Sequence, residues 1–220
     1  MRYFREGMFF GQRTTLDRLY ALTDGLYAIV ITLLVLDLKV PEIPELTEAQ
    51  LIDDLVRQIP NFTAYIISFY AAVLLWMRNH WILEPLKACN ETTFWLQFTH
   101  LLFVSLIPYT TSLVGRYEED PIGIILFSAS LGLAGLSLLF LHRYVVTRKD
   151  WHTESATTKE WTNPRWLTLY PGPLFALGAL LVSFINVTGA LLLWFFLPIW
   201  SLLAPPRPNK AHAQDVERTG

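Results

Sequence analysis

Hydrophobic and polar residues alternate along this chain on a scale of whole helices. Long stretches are almost free of charge, and the Lys, Arg, Asp and Glu residues crowd into the gaps between them. A bilayer imposes this pattern, because a helix needs roughly 20 apolar residues to cross about 30 Å of hydrocarbon. The pattern predicts six spans, at about 19–38, 59–81, 93–114, 121–144, 167–184 and 187–203. Lys39 and Pro41 end the first span, and Pro205, Pro206 and Pro208 stop the last. Only 185–188 joins the fifth span to the sixth, which predicts an antiparallel hairpin. Asn186-Val187-Thr188 matches a glycosylation sequon but reads as the turn of that hairpin. Between the first two spans, 47–58 reads as a short amphipathic helix on the outer surface. Thr47 is its N-cap, and Leu51, Ile52, Leu55 and Val56 are its apolar side.

Basic residues orient the bundle. With the N-terminus inside, the inner segments hold fourteen Lys and Arg residues, among them Arg2, Arg18, Arg78, Lys87, Arg143 and Lys210. The outer segments hold three, Lys39, Arg57 and Arg116. Both termini are therefore expected in the cytoplasm. The expected organisation is a cytoplasmic lead over 1–16, an all-α membrane domain of six transmembrane helices over 17–204, and a polar tail over 205–220. The N-terminal segment does not read as a secretory signal, because four arginines are spread over a long polar lead and no small-residue cleavage site follows the first apolar run.

Composition narrows the function classes. Hydrophobic residues make up 53% of the chain and charged residues 16%, well below the quarter or so of a soluble domain. The net charge of −2 gives a nucleic-acid partner no electrostatic support. Cys89, the single cysteine, can form neither an internal disulfide nor a thiolate metal cluster, and reads as a packing residue. No HExxH, CxxC, GxSxG, Walker or GxGxxG motif occurs, and the five histidines lack metal-ligand spacing. Neither an enzyme nor a cofactor site is expected. Trp76, Trp81, Trp95, Trp166 and Trp200 near span ends fit interfacial belts. Ser128 with Gly132 and Ser130 with Ala134 are spaced for close helix contact in lipid.

The first span carries the candidate chemistry. Asp24 lies more than a turn inside it, and a central Asp costs about 2.5–3.5 kcal/mol on insertion scales. It needs a partner, either Arg18 or the region of Arg78 and His80, unless it sits wet at the interface. At about 100° per residue, Ile29, Leu33 and Leu36 fall within roughly 60° of one another, with Leu22 on the same stripe. Thr32 lies about 60° to one side, and Asp24 points about 140° away from Ile29. An ideal helix puts Arg18 about 20° from Ile29, so contact between Arg18 and Asp24 within one straight helix is disfavoured. Taken alone, such an aliphatic stripe equally describes ordinary helix packing.

Arg18 to Asp24 (RLYALTD) resembles the Arg-x-x-x-Phe-Ser-Asp signature that opens the first helix of the transmembrane protein 175 family. Gly25 to Pro41 (GLYAIVITLLVLDLKVP) and Phe98 to Gly115 (FTHLLFVSLIPYTTSLVG) are similar to that family's first and third helices. Leu22 and Thr23 stand where the signature has Phe and Ser. The histidine usual near the end of the second helix corresponds to His80, in a different local setting. The resemblance implies a potassium channel of the cell membrane, of moderate selectivity and with potassium as the permeant ion. It also implies a homotetramer, since one-repeat members form tetramers and two-repeat members form dimers. The first helix would line the pore, with Ile29, Leu33 and Leu36 as constriction rings and Thr32 at the hydroxyl position linked to selectivity. Arg18, Thr23, Asp24 and His80 would form a polar network tying the first two helices together. The alternatives are a channel carrying mainly protons, a small secondary transporter in which Pro171-Gly172-Pro173 breaks a helix, and a non-conducting membrane scaffold.

Overall fold

A helix crosses lipid by satisfying its backbone N–H groups inside its own segment, and the described residues of this chain do so with helices. A computed structural model describes residues 13–40, 47–117, 120–148 and 171–203. The N-terminal lead through residue 12, the acids Glu42 and Glu45, the segment 149–170 and the tail from 204 lie outside the described residues.

The helices are α1 (Arg13–Leu33, continued by a 3-10 turn at Leu34–Asp37), α2 (Glu48–Arg57), α3 (Ile59–Leu83), α4 (Glu91–Ser105), α5 (Ile107–Arg116), α6 (Pro121–Val146), α7 (Pro171–Ser183) and α8 (Val187–Leu203). Four stretches are long and apolar enough to cross a membrane, at Leu16–Asp37, Ile59–Leu83, Glu91–Arg116 and Pro121–Val146. Shorter apolar helices occupy the positions of the expected fifth and sixth spans.

Local chemistry sets the boundaries. Thr47 caps α2 through a capping box with Gln50, as its sequence suggests. Asn90 caps α4 by accepting from the Thr93 amide (2.9 Å), and Asp120 caps α6 by accepting from the Ile122 amide (2.9 Å). The expected third span is broken at Leu106 into α4 and α5. Pro108 has no N–H to give the Val104 carbonyl, and that missing bond breaks the regular α-helix just before it. Pro171 and Pro173 lie in the first described turn of α7, and the residues before them are outside the described part of the chain. The Asn186 side chain accepts from the Gly189 amide (2.9 Å) and starts α8 from the turn, so the sequon serves as a helix cap.

α6 forms the centre, packed on α4, α5 and α7, with α8 against α7 and α3 against α5. Its small residues allow the close approach. A Cβ on Gly132 would stand 2.8 Å from the Ala176 Cβ, and one on Gly135 would stand 2.8 Å from the Pro173 Cδ. Buried hydroxyls add links. Thr111 donates to Ser68 (2.7 Å), Thr110 pairs with Ser130 (3.0 Å), and Trp194 Nε1 donates to Ser128 Oγ (3.1 Å). Cys89 is buried in the α3–α4 connection, where burial pushes its thiol up in pKa, in keeping with a packing role. Gly135→Val is expected to force α7 off α6 and cost about 1–3 kcal/mol. Thermal or denaturant unfolding in detergent reads that cost, and an unchanged midpoint would contradict the tight contact.

Candidate functional site

α1 has two faces of opposite fate. Leu16, Leu19, Thr23, Tyr27, Val30 and Leu34, at spacings of three and four, are buried against α3 and α4. On the opposite side Leu22 (47% exposed), Ile29 (59%), Leu33 (44%) and Leu36 (70%) stay largely open among the described residues. The stripe that periodicity picks out is therefore not part of the buried core described here. Thr32 shares the uncovered side. Its hydroxyl bonds back to the Ala28 and Ile29 carbonyls (3.0 and 2.9 Å), which leaves its oxygen lone pairs facing away from α1.

The four residues expected to form one network are divided. Asp24 accepts a hydrogen bond from Trp76 Nε1 (2.8 Å), and no ion pair joins it to Arg18 or His80. His80 stacks on the other side of the same indole, with centroids 5.9 Å apart, and lies 6.4 Å from the Tyr20 ring. Asp24 and His80 thus communicate through Trp76, a residue that the interfacial-belt reading accounts for without a partner. Arg18 is exposed at the same end of α1. Thr23 belongs to a separate, fully buried knot. It donates to the Leu19 carbonyl (2.8 Å) and accepts from Gln97 Nε2 (3.0 Å). Gln97 and Asn79 exchange hydrogen bonds through both amide ends (2.9 and 3.2 Å). Asn79 and Gln97 carry a sequence signal, because an amide inside the end of an apolar span still has to find a partner.

One turn further along, the Tyr27 hydroxyl meets His100 Nε2 at 2.6 Å. His100 Nδ1 lies 2.9 Å from Ser137 Oγ and 3.1 Å from the Ala134 carbonyl, and Ser137 itself donates to that carbonyl (2.7 Å). The carbonyl only accepts and the Ser137 proton is already committed, so Nδ1 carries the imidazole proton and Nε2 accepts from Tyr27.

At the far end of α1, Asp37 pairs with Arg116 at the end of α5 (3.4 Å). The two line a cleft of about 160 Å³ with Lys39, Gln58 and Asn61. Two of the three basic residues expected outside, Lys39 and Arg116, thus share one end of the bundle, opposite Arg18 and His80. Gly115 lets this end close, because a Cβ there would overlap the Asn61 side chain. Among the described residues, no three of His, Cys, Asp and Glu converge as metal ligands would.

Known proteins resemble this arrangement. Residues 18–108, from α1 to the start of α5, match the family model described as the endosomal/lysosomal potassium channel TMEM175. The chain is 26% identical over 202 residues to a potassium channel of Chamaesiphon minutus, covering 87% of this chain and 96% of that one. It is 30% identical over 134 residues to a potassium channel of a Chryseobacterium strain, covering 60% of this chain and 66% of that one. The mouse endosomal/lysosomal proton channel TMEM175 is 30% identical over 143 residues, but the chain spans only 29% of its length. The crystal structure of a lysosomal potassium-selective channel TMEM175 homolog from Chamaesiphon minutus shares the fold. Its TM-score is 0.71 at 24% identity, over 86% of this chain and 97% of that one.

Gln97→Ala should strand the Asn79 amide in the core and destabilise the chain by about 1–3 kcal/mol. Replacing both residues with leucine should recover most of the loss, since no buried donor is then left unpaired. Unfolding midpoints of the single and double variants check this. A double variant as unstable as the single one would show that the amide pair is not the source.

Proposed function

The chain belongs to the TMEM175 family, and from that premise we propose that it is a passive cation channel of the cell membrane that favours potassium. Four copies surround a central pore lined by α1. Each copy spans the membrane six times with both termini in the cytoplasm. The observation that carries this reading is the uncovered stripe of Ile29, Leu33 and Leu36 on α1. Nothing in the described part of the chain covers this face, which leaves it to lipid or to a neighbouring copy, and the resemblance to a channel family favours the neighbouring copy. The bacterial relatives named as potassium channels supply the ion.

In this arrangement Ile29, Leu33 and Leu36 from four subunits make three apolar rings. A narrow apolar constriction expels water, and an ion cannot follow without its hydration shell, so the pore closes by dewetting. A modest dilation or rotation of α1 reopens it. Thr32 presents hydroxyl oxygens between the rings and supplies a polar waypoint for a partly dehydrated cation. Selectivity is moderate, because no TVGYG segment exists to stack carbonyl sites. At the inner end, Asp24, Trp76 and His80 tie α1 to α3, with Arg18 free to meet a neighbouring subunit. The Asp37–Arg116 pair marks the outer mouth. The mouse relative, named as a proton channel, favours a second reading in which protons are the main cargo.

Purified protein in liposomes under a potassium gradient tests the proposal. Potassium flux exceeding sodium flux is expected, and Ile29→Asn should raise the flux several-fold by wetting the constriction. Unchanged flux in Ile29→Asn would remove Ile29 from the constriction. Flux carried only by a proton gradient would select the second reading, and no flux from folded protein would reject both.

A further inference from the structure

We propose that Tyr27 is a positioning residue whose hydrogen bond to His100 fixes the rotational setting of α1, and with it which side chains face the pore. This rests on the reading of α1 as the pore helix. Tyr27 lies about 200° around the helix from Ile29, directly behind the constriction stripe. The side chain is 1% exposed and its hydroxyl sits 2.6 Å from His100 Nε2.

His100 is itself held from behind. With its Nδ1–H directed at Ser137 and the Ala134 carbonyl, the ring has one orientation in which both nitrogens are satisfied. The chain from α6 through His100 to Tyr27 is thus directional from end to end. The apolar contacts around it are not. Leucine, valine and alanine side chains slide past one another at little cost, and lipid gives no hydrophobic reward for one packing over another. A small turn of α1 that keeps those contacts still breaks a 2.6 Å bond and strands two buried polar groups. The Thr23–Gln97 bond, one turn away, constrains the same rotation nearer the cytoplasmic end. Tyr27 acts closer to the rings and on a different α4 residue.

Loss of the hydroxyl is therefore expected to release α1 into neighbouring rotational settings. In those settings Val30, now 3% exposed and about 100° around the helix from Ile29, turns toward the edge of the pore and spends part of its time within reach of its water. The experiment reads that directly. In a Cys89→Ser background, Val30→Cys is introduced and its reaction with a water-soluble thiol reagent is followed in liposomes, with Tyr27 intact or replaced by phenylalanine. Labelling should rise several-fold in Tyr27→Phe, and potassium leak should rise with it.

A second variant separates positioning from bulk stability. Tyr27→Phe combined with His100→Phe leaves no unpaired group between the two helices and should regain the thermal midpoint. If Tyr27 sets rotation, Val30→Cys stays reactive in that stable double variant. Return of the labelling to its starting level there would overturn the proposal in favour of a purely structural role. So would unchanged labelling in Tyr27→Phe itself. Thiol reactivity does not depend on which ion is carried. Absence of flux in every protein would thus reject the channel reading while the labelling still decides the role of Tyr27.

Discussion

Lipid removes the force that assembles soluble proteins. Apolar side chains gain nothing from leaving hydrocarbon for a protein interior, so helices here must be held by close van der Waals contact and by polar groups that have nowhere else to go. The chain uses the two means in different places. The small residues of α6 let α7 approach until Ala176 and Pro173 fill the space where larger side chains would stand. The one glycine of α1, Gly25, meets no neighbour within 4 Å. Polar bonds from Thr23, Asp24 and Tyr27 hold α1 to α3 and α4, at intervals along one side.

That division explains how one subunit combines a rigid body with a helix able to change its setting. Contacts between small residues are dense and are lost all at once, so α6 and α7 behave as one piece. Interhelical hydrogen bonds in membranes average about 0.6 kcal/mol and reach about 1.7 kcal/mol. A few of them keep a helix in register without making its movement prohibitive. In the proposed channel, the aliphatic stripe would then be free to serve neighbouring copies across a pore axis rather than its own core.

The sequence displays the two-faced character of α1 well. The stripe of Ile29, Leu33 and Leu36 follows from helical periodicity, and the need for a partner at Asp24 follows from the cost of a carboxylate in hydrocarbon. The identity of that partner does not follow. Trp76 is 52 residues away and has the same local signature as a tryptophan lodged in a headgroup belt, so only the packing of α1 on α3 assigns it to Asp24. Asn79 and Gln97 were legible as amides in apolar spans, but a charge draws attention first, and the pair is neutral. The break at Leu106 was written in Pro108. The expected third span hides it, because hydropathy averages over the kink. The grouping of Arg18, Thr23, Asp24 and His80 comes from the resemblance, and one ideal helix disfavours only a direct contact of Arg18 with Asp24 within α1. Within the chain, Thr23 and Asp24 have different partners on different helices.

The attachment of α1 is also uneven along its length. Near its N-terminal end and its middle, Thr23 and Tyr27 bond to fully buried partners, where water offers no substitute and a broken bond costs its full desolvation. Beyond Leu33 the α-helix gives way to a 3-10 turn, tied to α5 by Asp37 and Arg116, part-exposed and 3.4 Å apart. An ion pair of that kind contributes at most about 1 kcal/mol and less in salt. In the proposed pore, the ring at Leu36 would therefore rest on the loosest part of the helix and the ring at Ile29 on the firmest. A dilation of four such helices would open widest at the outer mouth. The narrow point would remain beside Ile29, close to Tyr27 and to the directional bonds that set its orientation.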